Sequence, residues 1–157
     1  MTIDQLGSIG EFSSAILLFV SLIYIGFQIR QNTNATRAQI YQARSDAKQA
    51  YNLFIAGSDG VLEVVGKIGV GEIDFARIAT LTDLEIRRLT MVQIAYRSRV
   101  DNMFYQYQNG FIDKEFYQES IEHVIRAFGP LWRILNITEG RSSFLNEIDR
   151  IVENRNY

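Results

Sequence analysis

The run Phe12–Ile29, FSSAILLFVSLIYIGFQI, contains no charged side chain and is bounded by Glu11 and Arg30. Leu, Ile, Val and Phe fall on nearly every helical face of it, so a helix here has no polar side to turn to water. Such a helix needs a cover of protein or of lipid. At 1.5 Å per residue it reaches roughly 27 Å, close to the hydrocarbon thickness of a bilayer. A single transmembrane helix over 12–29 is the expected use, with a buried core helix as the alternative. A cleavable secretory signal fits poorly. Met1–Glu11 carries Asp4 and Glu11 but no Lys or Arg, and the run ends in Gly26-Phe27-Gln28-Ile29-Arg30, not in a small-x-small site.

Flanking charge sets the expected orientation. Only acids precede the run, whereas Arg30, Arg37, Arg44 and Lys48 follow it. The positive-inside rule then puts residues 1–11 outside and the rest of the chain in the cytoplasm. Asn34-Ala35-Thr36 and Asn136-Ile137-Thr138 match the N-glycosylation pattern, which means nothing on a cytoplasmic face.

Helix-forming composition continues beyond the run. Gln31–Ala56 is mostly Ala, Gln, Arg, Tyr and Leu without Pro or Gly, and Gly57-Ser58-Asp59-Gly60 is the first stop. One helix from about Ile9 to Ala56 is expected, a span continued as a stalk over 30–56, with a kink at Asn32-Thr33-Asn34 as the alternative. Ser14, Leu17, Ser21, Tyr24, Gln28 and Gln31 recur at alternating spacings of three and four, and Ala35, Ala38, Gln42 and Ser45 extend this seam. Within the apolar run it collects the polar side chains. Two uses are expected: association of helices through small and hydroxyl residues, or the lining of a pore. Hydroxyls bonded back to their own i−4 carbonyls would need neither. Arg30 and Arg37, on another stripe, are placed to meet anionic lipid headgroups or a partner's acids.

Residues 57–81 are the least regular stretch. Val61–Ile68 reads as a short apolar helix or strand within a connector, and Gly66-x-x-Gly69-x-Gly71 lacks both the P-loop ending and the Rossmann glycine order. A helical domain is expected over 82–157. Thr82-Asp83-Leu84-Glu85 is a capping box, with Leu81 and Ile86 as the hydrophobic staple. Leu89, Val92, Tyr96, Val100, Met103 and Tyr107 follow at helical spacing, with an Arg97–Asp101 pair on the opposite side. Asn109-Gly110 should end that helix and Asp113 cap the next, which presents Tyr117, Ile121, Val124 and Phe128 and stops at Gly129-Pro130. After a turn holding Trp132, Ser142 or Ser143 should cap a last helix with Leu145, Ile148 and Val152 inward. No stretch alternates with period two. The expected fold is all-α: a transmembrane helix, a stalk and a small cytoplasmic bundle.

Chemistry is thinly provided for. With no cysteine, thiolate metal sites and cysteine nucleophiles are excluded, and one histidine leaves zinc and Ser-His sites short of parts. Glu119 and His123 lie one turn apart, but the partners of a di-iron bundle are missing. Glu115, Glu119 and Glu122 read as a solvent face. No cofactor, metal or catalytic residue is expected. A net charge of −2 argues against nucleic acid, including RNA stacking on the aromatic cluster around Tyr96, Phe104, Tyr107 and Tyr117. Tyr105 and Phe111 lie off the core stripe and are expected to contact the stalk or another protein.

Ser21-Leu-Ile-Tyr24, Gln28-Ile-Arg30-Gln-Asn-Thr33, Leu81-Thr-Asp-Leu-Glu85, Tyr105-Gln-Tyr-Gln-Asn-Gly110 and Phe144-Leu-Asn-Glu-Ile-Asp149 together resemble a family of small bacterial single-pass membrane proteins of unknown function. The resemblance covers nearly the whole chain and implies a bacterial inner-membrane setting, with no activity attached. The expected role is structural: a bilayer-anchored scaffold or accessory subunit that forms a homo-oligomer or joins a larger membrane complex. The alternative is a homo-oligomeric ion channel with the seam turned inward.

Overall fold

A computed structural model describes residues 3–69 and 72–154, which are helical with no strand among them. The all-α expectation holds. Two compact units divide the chain, Met1–Ala47 and Lys48–Tyr157.

Helix α1 runs Ile3–Ala56 and forms all of the first unit that is described. It begins earlier than the expected Ile9 and continues through Asn32-Thr33-Asn34, where a kink was the alternative. Cooperative propagation accounts for both. Once a helix is nucleated, residues of modest propensity are carried along, and no proline interrupts 3–56. Thr33 turns its hydroxyl back onto the Ile29 carbonyl at 2.9 Å, leaving the helical ladder in place.

The second unit starts with the last turns of α1. Tyr51 stacks on Tyr96 at a ring-centroid distance of 5.2 Å, and Tyr96 meets Phe128 edge-on at 5.1 Å. Burial, followed by the neighbouring Tyr96, pushes the Tyr51 hydroxyl up to about 12 against the opposing pull of Arg99.

Residues 57–81 are not the irregular connector expected from their glycines. Helix α2 spans Asp59–Ile68, and a 3₁₀ turn spans Phe75–Thr80, opened by Asp74 accepting from the Ala76 amide at 3.1 Å. The physical reason is burial. Val64 and Ile68 from α2, with Ile78 and Leu81, form a core cluster with Leu89 and Leu131. Gly69, with a φ of +112°, supplies the backbone turn after α2, while Gly71 of the glycine motif lies outside the described residues.

Helix α3, Asp83–Gln108, opens on the expected capping box, and Leu81 and Ile86 both belong to the cluster below it. Gly110, at φ +74°, closes it in a Schellman turn. Phe111 N–H reaches the Gln106 carbonyl at 2.9 Å and Gly110 N–H the Tyr107 carbonyl at 3.0 Å. Asp113 then accepts from the Phe116 amide at 2.7 Å and caps α4, Lys114–Phe116.

A π-helical segment, Tyr117–Glu122, leads directly into α5, His123–Ile134. One expectation is widened and one fails here: Val124 and Phe128 pack half-buried against the core, with Ile125 fully buried beside them. In an α-helix, residues four apart drift about 40° around the axis. The wider π turn absorbs that drift, so Tyr117, Ile121 and Ile125 are all buried, and the inward face widens from Val124 to take in Ile125. The helix does not stop at Gly129-Pro130. It continues to Ile134, and Gly129 is where α6 comes close: a Cβ there would lie 2.6 Å from Val152 Cγ2. The actual stop is Asn136 at φ +53°, the left-handed residue of a second Schellman turn, with Ile137 N–H on the Trp132 carbonyl at 2.9 Å.

Helix α6, Ser142–Glu153, starts one residue before the expected serine cap can act. Arg141 holds the N-cap position without a side-chain cap, and Ser142 is already helical. Its buried residues are Phe144, Ile148 and Ile151, with Leu145 and Val152 only half-buried, so the inward stripe lies one residue from the expected one at both ends. The main core gathers Val100, Phe104, Ile121, Ile125, Trp132, Phe144 and Ile151 around α3, α5 and α6.

Candidate functional site

The surface of α1 is the first candidate. Every large apolar side chain described from Phe12 to Ile29 is exposed, from 47% at Ile23 to 69% at Phe12. This is the helix in the chain that is long and apolar enough to cross a membrane among the described residues. Monomeric soluble proteins rarely leave an apolar surface of this extent open to water.

The seam residues Ser14, Leu17, Ser21, Tyr24, Gln28 and Gln31 are all exposed on α1, as are Arg30 and Arg37. The hydroxyls of Ser14 and Ser21 and the Gln28 amide nitrogen have partners within the helix. Ser14 Oγ donates to the Gly10 carbonyl and Ser21 Oγ to the Leu17 carbonyl, each at 2.8 Å, and Gln28 Nε2 donates to Tyr24 Oη at 2.9 Å. A hydroxyl bonded to its own i−4 carbonyl carries no unsatisfied donor into lipid.

In the second unit, Tyr105 and Phe111 are exposed. Tyr105 has an occupant on one face, the Arg141 guanidinium, whose Cζ lies 4.8 Å from the ring centroid. The aromatic cluster is mostly core. Tyr107 and Tyr117 stack at 4.2 Å, and Phe104 packs on Tyr107, Tyr117 and Phe144. The Tyr117 hydroxyl donates to Glu147, which Arg150 also holds. Burial first, then the Glu147 bond, raises the Tyr117 pKa far above that of a free phenol. His123, Glu115 and Glu119 are exposed, while Glu122 pairs with Arg126. Among the described residues no three His, Asp or Glu side chains gather as a metal site.

The site that sequence reasoning missed is at Arg97. Spacing puts Arg97 beside Asp101 on the solvent side of α3, but Arg97 is only 4% exposed. Asp101 instead takes Arg141, which donates from Nη2 at 2.6 Å and from Nε at 2.9 Å. The Arg97 Cζ lies 5.7 Å from the Phe144 ring centroid, and its buried Nε has no hydrogen-bond partner. Burial lowers the Arg97 pKa, opposed by the nearby charges of Asp101 and Glu139. Two clefts share Arg97 and Ile137 as a wall, one of about 320 Å³ also lined by Trp132, Arg133, Asn136 and Ile148, the other of about 150 Å³ beside Glu139 and Gly140. Gly140 lies close against the guanidinium tip on that side, since a Cβ there would lie 3.4 Å from Nη2. A run of good helix formers gives no hint that one arginine among them turns inward.

Comparison with protein-family models, with curated proteins and with solved structures gives no significant match. Function has to be read from the chain's own geometry.

Proposed function

We propose that this protein is a membrane-anchored structural or assembly protein. Phe12–Ile29 would cross a bacterial inner membrane once, with the N-terminus outside and the Lys48–Tyr157 unit in the cytoplasm. The observation that carries this reading is the apolar, uncharged face of α1, exposed all round over the length of a bilayer core. The basic residues that follow it, Arg30 and Arg37 first, support the orientation. They are exposed where a span would meet the headgroups.

Assembly into a homo-oligomer, or into a larger complex as an accessory subunit, would use the seam from Ser14 to Gln28. Because the Ser14 and Ser21 hydroxyls are already bonded within the helix, these two positions offer small, self-satisfied side chains that let a second helix approach closely.

Native mass after extraction into a mild detergent tests the proposal. A discrete oligomer, or a complex with other proteins, supports it. A monomer sinks the assembly role, and release from membranes by alkaline carbonate without detergent sinks the anchor.

A further inference from the structure

Arg97 carries a permanent charge into a nearly closed site, and its Nε hydrogen-bonds to nothing among the described residues. The acid one turn along, Asp101, is taken by Arg141. A buried charge without a counter-charge is costly unless something else supplies one. The Phe144 ring offers part of that compensation, and Asp101 and Glu139 act only through their charge.

The larger cleft at Arg97, about 320 Å³, falls at the lower end of the size range of small-molecule sites. Trp132, Ile137 and Ile148 give it an apolar wall, and Arg97 lines it beside them. Its other charged residues, Arg133 and Asp149, are paired with each other and leave no net charge of their own. One uncommitted cation beside an apolar wall suits one negative charge on an apolar body. A planar guanidinium matches a carboxylate, and the acids around Arg97 disfavour a more highly charged group such as phosphate.

We propose that the Arg97 cleft binds a small organic monocarboxylate, its carboxylate on the Arg97 guanidinium and its apolar body against Trp132, Ile137 and Ile148. The proposal does not depend on how α1 assembles.

Trp132 is the only tryptophan of the chain, so its fluorescence reports on the cleft wall directly. The full chain in detergent micelles would be titrated with phenylacetate and 3-methylbutanoate, with the uncharged 2-phenylethanol and inorganic phosphate alongside. A saturable change in Trp132 emission is expected with the two carboxylates and not with the controls. Arg97→Met should weaken carboxylate binding about tenfold or more. Its melting temperature without ligand should equal or exceed that of the wild type, because it removes an unpaired buried cation. Four results would each overturn the proposal: no response to either carboxylate, an equal response to 2-phenylethanol or to phosphate, unchanged affinity in Arg97→Met, or an Arg97→Met chain that unfolds or melts lower.

Discussion

Asp101 gives its carboxylate to Arg141, 40 residues further along, and leaves Arg97 one turn before it without an ion pair. Arg141 donates to Asp101 Oδ1 from both Nε and Nη2, and Nη2 also reaches the Asp101 backbone carbonyl at 2.7 Å. One side chain at the start of α6 is thereby tied to the middle of α3. Its guanidinium also covers a face of Tyr105.

Arg141→Ala should therefore cost more than a surface ion pair does. Asp101 is mostly buried and Arg141 about two-thirds so, and charge-assisted bonds in such settings contribute about 1–2 kcal/mol after allowance for solvent screening. Urea denaturation of Arg141→Ala, Asp101→Ala and the double variant should show strong non-additivity. Additive losses would mean that the pair is not coupled.

The short helix α2 should matter as much as the long ones. Leu89 is 1% exposed and packs with Val64 and Ile68, so Leu89→Ala should lose about 3 kcal/mol through the cavity it leaves. Val64→Ala should lose about 1–2 kcal/mol by the same mechanism. If 57–81 were a loose connector, Val64→Ala would be neutral in the same urea experiment.

How far the fold is legible in the sequence follows from the range of the interactions involved. Caps and stops are local, so Thr82, Asp113 and Asn109-Gly110 announce themselves, and each acts as its residue type implies. The burial of α2 depends on Leu89 and Leu131, which are distant in sequence, and glycines at 57, 60, 66 and 69 mask its amphipathic face. The π segment is invisible to a 3.6-residue period, and it widens the expected stripe from Val124 to take in Ile125. Arg97 is the sharpest case. Its i,i+4 acid satisfies a local rule, but Arg141 competes for that acid from a position that no local rule can see. The apolar surface of α1 was legible because it depends on no partner within the chain.

Gly129 supplies a test of close packing between α5 and α6. Gly129→Ala places a Cβ 2.6 Å from Val152 Cγ2, and such overpacking costs about 1–3 kcal/mol. Helix propensity alone would give the opposite sign, since Ala is favoured over Gly within a helix. Val152→Ala in the Gly129→Ala background should recover part of the loss. A stabilised Gly129→Ala chain would show that α6 yields without strain.

Acid should weaken the Lys67–Glu85 ion pair between α2 and α3. The Lys67 bond first, then the Thr82 backbone and side-chain bonds, hold the Glu85 carboxyl down at about 2, against an ordinary value of 4.5. A depressed folded-state pKa gives stability that is complete above the unfolded value and lost as pH falls through the folded one. The loss should therefore develop between about pH 4.5 and pH 2. Glu85→Gln should be less stable than wild type at neutral pH, and the gap between them should narrow across that window. A constant gap would rule out the Glu85 carboxylate as its source.

The seam on α1 makes the last prediction, and the geometry of Ser21 sets its terms. Since Ser21 Oγ bonds to the Leu17 carbonyl, Ser21→Leu removes no bond that a partner helix would need. It adds bulk at the centre of the seam and raises the apolarity of the run, so insertion into the membrane should be unaffected. If small side chains permit close helix approach, Ser21→Leu should shift the native mass in detergent toward monomer. Phe19→Leu, two residues away and off the seam, should leave the mass unchanged. Equal effects of the two substitutions would detach assembly from the seam. An oligomer kept intact by Ser21→Leu that loses ion conductance in bilayers would instead favour a pore with Ser21 in its wall.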